Sequence, residues 1–243
     1  MKSIIFYSMH RSGSTAQTDI LRKLASGSQY KHRFAYPEIE KFNLLEGNEV
    51  LYELPPNMRI IPENLIYGPF RRPLNIKYDN LKVVFTLRDP RDTLVSMYFS
   101  KAFSHGPPPS EKLKEKFLES RKEAIEMGID KYVIDRSQLL LDIYQYYISI
   151  YNKCEDKALL TYEDMVLNFK KYASKLSEFC ISGPCAKLNS LEKCFRPPSK
   201  ENLMSHKRKL TPGDHKDKLQ KNTILKLNNI FKDYFEWETN EKL

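Results

Sequence analysis

The sequence predicts an α/β fold, a three-layer sandwich with a central, mainly parallel sheet. Short apolar runs that suit buried strands alternate along the chain with longer segments of helical periodicity. The clearest run, LKVVFTL at residues 81–87, is rich in β-branched and aromatic residues. Polar turns follow the first strand and the strongest strand, where parallel sheets collect ligand-binding residues.

The elements follow from these patterns in chain order. Apolar runs predict strands over residues 3–8, 81–87 and 158–161, and residues 30–34 are a further strand candidate. Helical periodicity predicts helices over residues 15–24, 93–102, 111–127, 134–152, 169–180 and 216–235. Residues 35–80, rich in Pro and Asn, carry no clear pattern, and residues 182–215 are predicted to be loop-like because of their prolines.

One helix carries an aromatic stripe. Tyr144, Tyr147 and Tyr151 lie at positions i, i+3 and i+7 of the predicted helix over residues 134–152, which places them on one face. Such a stripe is more often core packing than a ligand platform, so we expect these rings to be buried.

Length and composition bound the class of protein. The 243 residues are predicted to form a single domain, and 41% hydrophobic with 29% charged residues is ordinary for a soluble globular chain. No stretch approaches 18 consecutive apolar residues, so no membrane span is expected. The initial apolar run SIIFYSM is too short for a secretory signal, and we therefore expect a cytoplasmic location.

The charge balance favours an anionic partner. The chain has 40 Lys and Arg against 31 Asp and Glu, a net charge of +9. Residues 196–221 hold eight basic and three acidic residues, so this segment alone carries +5. Such an excess suits a nucleotide, a sulfated or phosphorylated ligand, nucleic acid or an acidic lipid, and equally suits charge that serves solubility.

The four cysteines, at positions 154, 180, 185 and 194, are not spaced as metal ligands. They form no C-x2-C pair, and no His follows at the spacing of a zinc finger. We therefore expect reduced thiols, some of them buried, and no structural metal.

The first candidate site is the turn HRSGST at residues 10–15, after the first strand. Its glycine allows close backbone approach, and the N–H groups at the helix start attract an anion. Hydroxyl donors and one fixed charge complete a P-loop-like phosphate-binding turn made of Arg11, Ser12, Gly13, Ser14 and Thr15. No Gly-Lys pair of the Walker pattern is present, and the alternative is a capped helix with no ligand.

The second candidate is RDPRDTLVS at residues 88–96, after the strongest strand. Arg88 at the strand end and Ser96 in the next helix are expected to reach one phosphate, while Asp89 or Asp92 caps that helix. The alternative is a capped helix with surface Arg–Asp pairs.

The third candidate is HKRKLTPGDHK at residues 206–216, a basic cluster in a Pro/Gly loop before a helix. It includes Arg208 and Lys209. Its interpretation as an anion clamp competes with that of a solvated charge run.

Taken together, in order and spacing, the three segments resemble the cofactor-binding elements of the sulfotransferase superfamily, whose donor is 3′-phosphoadenosine 5′-phosphosulfate (PAPS). Residues 11–15 match the family's [KR]-S-G-[ST]-T loop for the 5′-phosphosulfate. Residues 88–96 match its R-[ND]-P-[RK]-D-x-x-x-S motif for the 3′-phosphate in full. Residues 208–216 match its late loop R-K-G-x-x-G-D-[WH]-K, except that Leu210 replaces the first Gly.

The resemblance implies an enzyme that moves a sulfuryl group from PAPS to a hydroxyl or amine of a small-molecule or glycan acceptor by in-line displacement. The product is adenosine 3′,5′-bisphosphate (PAP), and no metal takes part. Arg11 is implied to stabilise charge on the departing oxygen. The implied donor-binding residues are Arg11, Ser12, Gly13, Ser14, Thr15, Arg88, Ser96, Arg208 and Lys209.

The general base is not assigned by the resemblance. The family's cytosolic branch usually has Lys at the position of Arg11 and carries its catalytic His in a T-H-x-P-like segment. The corresponding stretch here, YGPFRR at residues 67–72, contains no His. His32, on the predicted second strand, is the candidate base, with Glu38 and Glu63 as alternatives.

Three other functions compete with this interpretation. The main one is a non-catalytic PAPS- or nucleotide-binding or regulatory protein on the same fold. A P-loop kinase is disfavoured by the absent Walker lysine. A nucleic-acid binder is disfavoured because aromatic residues do not interleave with the basic cluster, so no nucleic-acid partner is expected. The acceptor and the oligomeric state are not predicted by the sequence.

Overall fold

The computed structural model describes residues 1–45, 47, 50–61, 63–107, 111–195, 201–203 and 208–242. The chain divides into two compact units. The sheet unit comprises Met1–Arg88, Asp142–Arg196 and Thr239–Leu243, and the helical unit comprises Asp89–Leu141 and Pro197–Glu238. Each unit is described by itself below.

The sheet unit contains five parallel strands in the order β2-β3-β1-β4-β5. Their bounds are β1 Ile4–Ser8, β2 Lys31–Arg33, β3 Leu65–Phe70, β4 Lys82–Leu87 and β5 Lys157–Thr161. The predicted parallel α/β sheet is confirmed, and four of its strands lie where the sequence analysis placed a strand. All its strand ends point the same way, so the turns after β1, β3 and β4 emerge at one edge.

Strand β3 lies in the region to which the sequence assigned no element. Its sequence LIYGPF contains a Gly-Pro pair, which normally argues against a central strand. The register with β1 slips between Ile5 and Tyr7, so Gly68 sits at an irregularity of the ladder. Gly68 has φ of +117°, and a Cβ there would lie 2.4 Å from the carbonyl oxygen of Phe6. Only glycine fits this close approach.

Helices cover both faces of the sheet. Neighbouring strand residues point to opposite faces, so buried side chains on both faces need helices to pack against. On one face the ring centroid of Tyr7 lies 5.2 Å from that of Phe85 and 5.4 Å from that of Tyr147. On the other face the hydroxyls of Thr86 and Tyr172 are hydrogen-bonded at 2.9 Å. The predicted three-layer sandwich is therefore confirmed within the sheet unit.

The helices, in chain order, are α1 Ser14–Ser26, α2 Tyr36–Leu45, α3 Pro90–Phe99, α4 Glu111–Met127, α5 Ile129–Asp135, α6 Ser137–Lys153, α7 Tyr162–Leu167, α8 Phe169–Ile181, α9 Ala186–Asn189, α10 Asp214–Lys218, α11 Lys221–Ile230 and α12 Lys232–Lys242. A π-helical turn, Ser100–Ser104, continues α3, and a 3-10 turn covers Glu192–Phe195. The tyrosine stripe of α6 is buried, which confirms the prediction of core packing.

The prediction of one continuous helix over residues 216–235 is wrong. The segment forms parts of α10, α11 and α12, separated at Leu219–Gln220 and at Phe231. Leu219 is extended, with φ of −107° and ψ of 148°. The N–H of Gln220 then donates to Oδ1 of Asp130 at 2.9 Å, a tertiary contact that overrides the local helical preference.

Candidate active site

The turn between β1 and α1 adopts the conformation that the phosphate-loop prediction requires. Gly13 has φ of +78° and directly precedes α1, with no side chain capping the helix. A Cβ at Gly13 would lie 2.9 Å from the Cε of Met165, so the position is crowded as well as left-handed. The N–H of Ser12 donates to the carbonyl of Met9 at 3.0 Å and closes the turn.

The start of α1 leaves polar groups unsatisfied. Within the described part of the chain, the N–H groups of Gly13, Ser14 and Thr15 make no hydrogen bond, and the first N–H that returns to the turn is that of Gln17. The hydroxyl of Ser12 is fully buried and also lacks a partner there. Unpaired N–H groups at the positive end of a 13-residue helix favour a negatively charged ligand, and the turn is therefore a candidate anion-binding site.

Arg88, at the end of β4, is buried beside this turn. It is only 3% exposed, its Nη1 donates to the carbonyl of Arg11 at 2.8 Å, and its Cζ lies 4.3 Å from the ring centroid of Tyr162. The hydroxyl of Tyr144 donates to the carbonyl oxygen of Arg88. The carbonyl of Arg11 and the ring of Tyr162 hold the guanidinium without neutralising it, and Tyr144 holds the backbone.

The charge of Arg88 has no carboxylate partner among the described residues, and its buried Nε makes no hydrogen bond with them. A buried, uncompensated charge is strongly unfavourable unless a counter-ion is supplied. Arg88 is therefore a candidate partner for an anionic ligand.

Arg71 is a site residue that the sequence analysis missed. It follows β3 directly, and its Nε donates to Oγ of Ser14 at 3.0 Å. Its Cζ lies 5.2 Å from the ring centroid of Tyr36. The sequence feature that could have identified Arg71 is an arginine directly after the end of a strand. It was not recognised because β3 was not predicted.

The structure does not bring His32 to this turn. His32 pairs with Ile66 of β3, and Ile66 pairs with Ile4, at the amino end of β1. Its Nε2 donates to the carbonyl of Gly68 at 2.8 Å. Burial lowers the pKa of His32 more than this hydrogen bond raises it, which favours the neutral ring. Its assignment as the base stays a prediction.

In the helical unit, the RDPRD segment caps α3 as expected. The carboxylate of Asp89 accepts from the N–H of Arg91 at 2.9 Å. Asp92 turns to the late loop instead: its Oδ2 accepts from the N–H of Gly213 at 2.6 Å, and its Oδ1 from the N–H of His215 at 2.9 Å. Ser96 lies half-buried on α3.

The late loop carries Arg208 and Lys209, and their charges are already balanced. Arg208 is buried, lies 4.1 Å over the ring centroid of Phe99 and is paired with the carboxylates of Glu201 and Asp214. The Nζ of Lys209 lies 2.8 Å from Asp217 and 3.1 Å from Asp214. The hydrogen bond to Asp217 raises the pKa of Lys209. His206 and Lys207 of the same basic cluster lie outside the described residues.

Two further findings concern the remaining expectations. Cys154, Cys180 and Cys185 are free thiols in the interior. In the ranges that the structure covers, no three His, Cys, Asp or Glu side chains are grouped as metal ligands, and no helix is long and apolar enough to span a membrane.

Comparison with solved structures shows the fold. The chain is 16% identical to mouse sulfotransferase SULT7A1 complexed with PAP, with a TM-score of 0.55 over 96% of this chain and 83% of that one. It is 14% identical to retinol dehydratase in complex with androsterone and PAP, with a TM-score of 0.54 over 95% of this chain and 80% of that one. No curated protein sequence matches the chain. The family model of the sulfotransferase domain matches residues 2–243, and the chain therefore belongs to the sulfotransferase family.

Proposed function

We propose that this protein is a PAPS-dependent sulfotransferase that transfers a sulfuryl group to a hydroxyl or amine. The observation that carries the proposal is Arg88, a buried cation without a carboxylate partner in the described chain, next to the unpaired N–H groups that open α1. A donor with phosphate groups supplies the missing negative charge. Family membership supports the same reaction class.

The residues around the turn fit the 5′ end of such a donor. We propose that Arg11 and the backbone of residues 12–15 bind the 5′-phosphosulfate, with the buried hydroxyl of Ser12 as an additional donor. Gly13 allows the left-handed backbone of this turn and avoids the contact that a Cβ would make with the Cε of Met165.

The 3′-phosphate is proposed to bind to the residues of the two other motifs, namely Arg88, Ser96, Arg208 and Lys209. Arg88 fits this role directly because its charge is uncompensated. Arg208 and Lys209 take part only by exchanging contacts with Asp214, Glu201 and Asp217 for contacts with phosphate. This exchange costs the ion pairs with the carboxylates, whereas phosphate binding by Arg88 breaks no ion pair with a described residue.

Bound PAPS supplies an activated sulfuryl group, which an acceptor oxygen or nitrogen attacks while the bond to the 5′-phosphate breaks. The chain contributes position and charge. Arg11 keeps its positive charge at all physiological pH values and stabilises negative charge at the departing oxygen, but it cannot donate a proton.

Proton removal from a hydroxyl acceptor is assigned to His32 as a prediction, with Glu38 and Glu63 as alternatives. The neutral ring of His32 suits a base, but its position at the level of Ile66 argues for a structural part. Turnover of His32→Ala at saturating acceptor tests the assignment. Full turnover contradicts it.

A small-molecule acceptor is proposed on the strength of the fold relatives, one of which is complexed with androsterone and another with retinol. A glycan acceptor remains the alternative from the sequence. We retain a cytoplasmic location, the absence of a nucleic-acid partner and independence from metal as parts of the proposal.

The second candidate is a non-catalytic PAPS-binding or regulatory protein, favoured by the missing His in residues 67–72. Both candidates bind PAP, and only the enzyme transfers sulfate from labelled PAPS to acceptors in a screen. The first experiment is a thermal-shift titration with PAP, using 5′-AMP and ATP with Mg²⁺ as controls at fixed salt. A rise in melting temperature with PAP alone supports the proposal, and no selective rise contradicts both candidates.

A further inference from the structure

Arg71 occupies a third strand end beside the donor turn. β3 and β1 are parallel neighbours, and Phe70 pairs with Tyr7, so the residue after Phe70 emerges level with the turn after β1. β4, which ends at Arg88, flanks β1 on its other side. Arg88, the turn and Arg71 therefore follow one another along the carboxyl edge of three adjacent strands.

The guanidinium of Arg71 is held in place by neutral groups. Its Nε donates to Oγ of Ser14 at 3.0 Å, and its Cζ lies over the ring of Tyr36 at 5.2 Å. The hydroxyl of Tyr36 in turn donates to Oε1 of Glu40 at 2.6 Å, and burial raises the pKa of Tyr36. Tyr36 therefore stays neutral and presents a fixed aromatic surface to the cation.

The remaining donors of Arg71 are unused by the protein. Neither Nη1 nor Nη2 makes a hydrogen bond or an ion pair with any residue in the described ranges. A half-buried guanidinium that is oriented by Ser14 and Tyr36 therefore offers two donors, in the fork that binds an oxyanion with two parallel hydrogen bonds.

We propose that Arg71 is a catalytic residue that binds the transferring sulfuryl group through Nη1 and Nη2. The inference rests on the proposed function. If Arg88 holds the 3′-phosphate at the end of β4 and the turn holds the 5′-phosphate at the end of β1, the terminal sulfuryl group extends toward the end of β3. Arg71 is the cation at that position.

The chemistry at this position is charge stabilisation. The acceptor oxygen forms a bond to sulfur, and the bond from sulfur to the 5′-phosphate oxygen breaks, leaving its electron pair on PAP. The acceptor proton goes to a general base or to solvent and not to Arg71, which remains protonated. Arg71 stabilises the negative charge on the sulfuryl oxygens during transfer.

A purely structural part for Arg71 makes a different prediction. If Arg71 only ties Ser14 to β3, its loss disturbs the turn and weakens every ligand of the turn to the same degree. If Arg71 binds the sulfuryl group, its loss weakens PAPS, which has that group, more than PAP, which lacks it. The ratio of the two dissociation constants separates the two cases without any acceptor.

The experiment measures Kd for PAP and for PAPS by calorimetry, without acceptor, in wild type, Arg71→Ala, Arg71→Gln and the control Arg72→Ala. Gln offers Ser14 a neutral donor and preserves the fold if Ala does not. Because a charge-assisted hydrogen bond to an oxyanion is lost, we expect the ratio Kd(PAPS)/Kd(PAP) to rise about tenfold or more in both Arg71 variants. The control keeps the wild-type ratio.

An unchanged ratio in Arg71→Gln, whether both affinities fall or neither does, overturns the inference. An equal rise in Arg72→Ala overturns it as well, because the effect is then not specific to Arg71. Failure of the wild-type protein to bind either nucleotide is a different result, since it contradicts the proposed function itself.

Discussion

Two helices of this protein begin after a left-handed glycine, but only one of them has a carboxylate that accepts hydrogen bonds from its first N–H groups. Gly13 precedes α1 and Gly213 precedes α10, both left-handed, with φ of +78° and +89°. At α10 the carboxylate of Asp92 accepts the N–H groups of Gly213 and His215. At α1 no described residue fills the equivalent place.

The buried arginines repeat this difference. In the helical unit Arg208 is paired with Glu201 and Asp214, whereas in the sheet unit Arg88 has no carboxylate among the described residues. The helical unit supplies its own anions and uses them to hold its late loop. In the sheet unit, the Arg88 guanidinium and the N–H groups that open α1 have no such partners among the described residues, so they are available to the donor that we propose.

The largest effect is expected on the stability of the protein when Arg208, the arginine paired with carboxylates, is replaced. Arg208→Met leaves Asp214 buried with only Lys209 as partner, so we expect a loss of about 3 kcal/mol in the free energy of unfolding. For a chain of this size that lowers Tm by roughly 6–12 °C in a thermal scan. Lys232→Met, which removes an exposed pair with Glu236, is the control and leaves Tm nearly unchanged. An unchanged Tm in Arg208→Met contradicts the claim that the ion pairs of Arg208 stabilise the helical unit.

Arg88→Met is expected to weaken ligand binding strongly and to change the stability of the ligand-free protein less than Arg208→Met does. Removing a buried cation that contacts phosphate costs about 2–4 kcal/mol of binding, or roughly 30- to 1000-fold in Kd for PAP by calorimetry. Tm without ligand is expected to fall less than in Arg208→Met, because the group that loses its contact with Arg88 is the neutral carbonyl of Arg11 and not a carboxylate. Arg22→Met, on the exposed side of α1, is the control. A large fall in Tm together with intact binding contradicts the role of Arg88.

Substituting the two glycines tests the difference between the starts of α1 and α10, because both have positive φ and both replacements strain the backbone. Gly13→Ala and Gly213→Ala each place Ala at positive φ, which is expected to cost about 1–2 kcal/mol of stability by chemical denaturation. Gly13→Ala adds a contact of the new Cβ with the Cε of Met165, whereas the Cβ in Gly213→Ala meets open space. Only Gly13→Ala also weakens PAP binding, because it moves the N–H groups that face the ligand. Equal effects on binding from both variants argue against the distinction.

The smallest effect concerns acid sensitivity. Burial opposes ionisation of Glu201, but hydrogen bonds from Lys218 and Arg208 lower its pKa below the ordinary 4.5 overall. A carboxylate with a depressed folded-state pKa stabilises the fold above the unfolded value and loses that contribution as the pH falls through the folded value. Stability is therefore expected to fall below about pH 4.5, by an increment that is absent in Glu201→Gln. Unfolding curves from pH 3 to pH 7 measure the difference, and identical slopes contradict it.

Local patterns predicted most of the sheet and missed one strand. The runs at β1 and β4 are apolar and β-branched, and both strands are found where the pattern places them. β3 was missed because its Gly-Pro pair is explained only by the close approach of Phe6, a contact 62 residues away in sequence. Without β3, Arg71 could not be recognised as a candidate, since the role that we propose for it depends on which strands are neighbours.

The amino-acid sequence by itself determined the family, the parallel α/β sheet and the segments that carry the donor motifs, because these depend on short-range periodicity and spacing. Only the tertiary structure decided which cations are available. Arg88 and Arg208 are the same residue type, each in a segment that resembles a donor motif, and they differ because carboxylates contact Arg208 and, among the described residues, none contacts Arg88. Acidic residues lie close in sequence to both arginines, Asp89 beside Arg88 and Asp214 six residues after Arg208, but Asp89 pairs with Arg91 whereas Asp214 pairs with Arg208. Sequence proximity therefore does not decide which charges are compensated, because compensation depends on the direction in which the fold points each side chain.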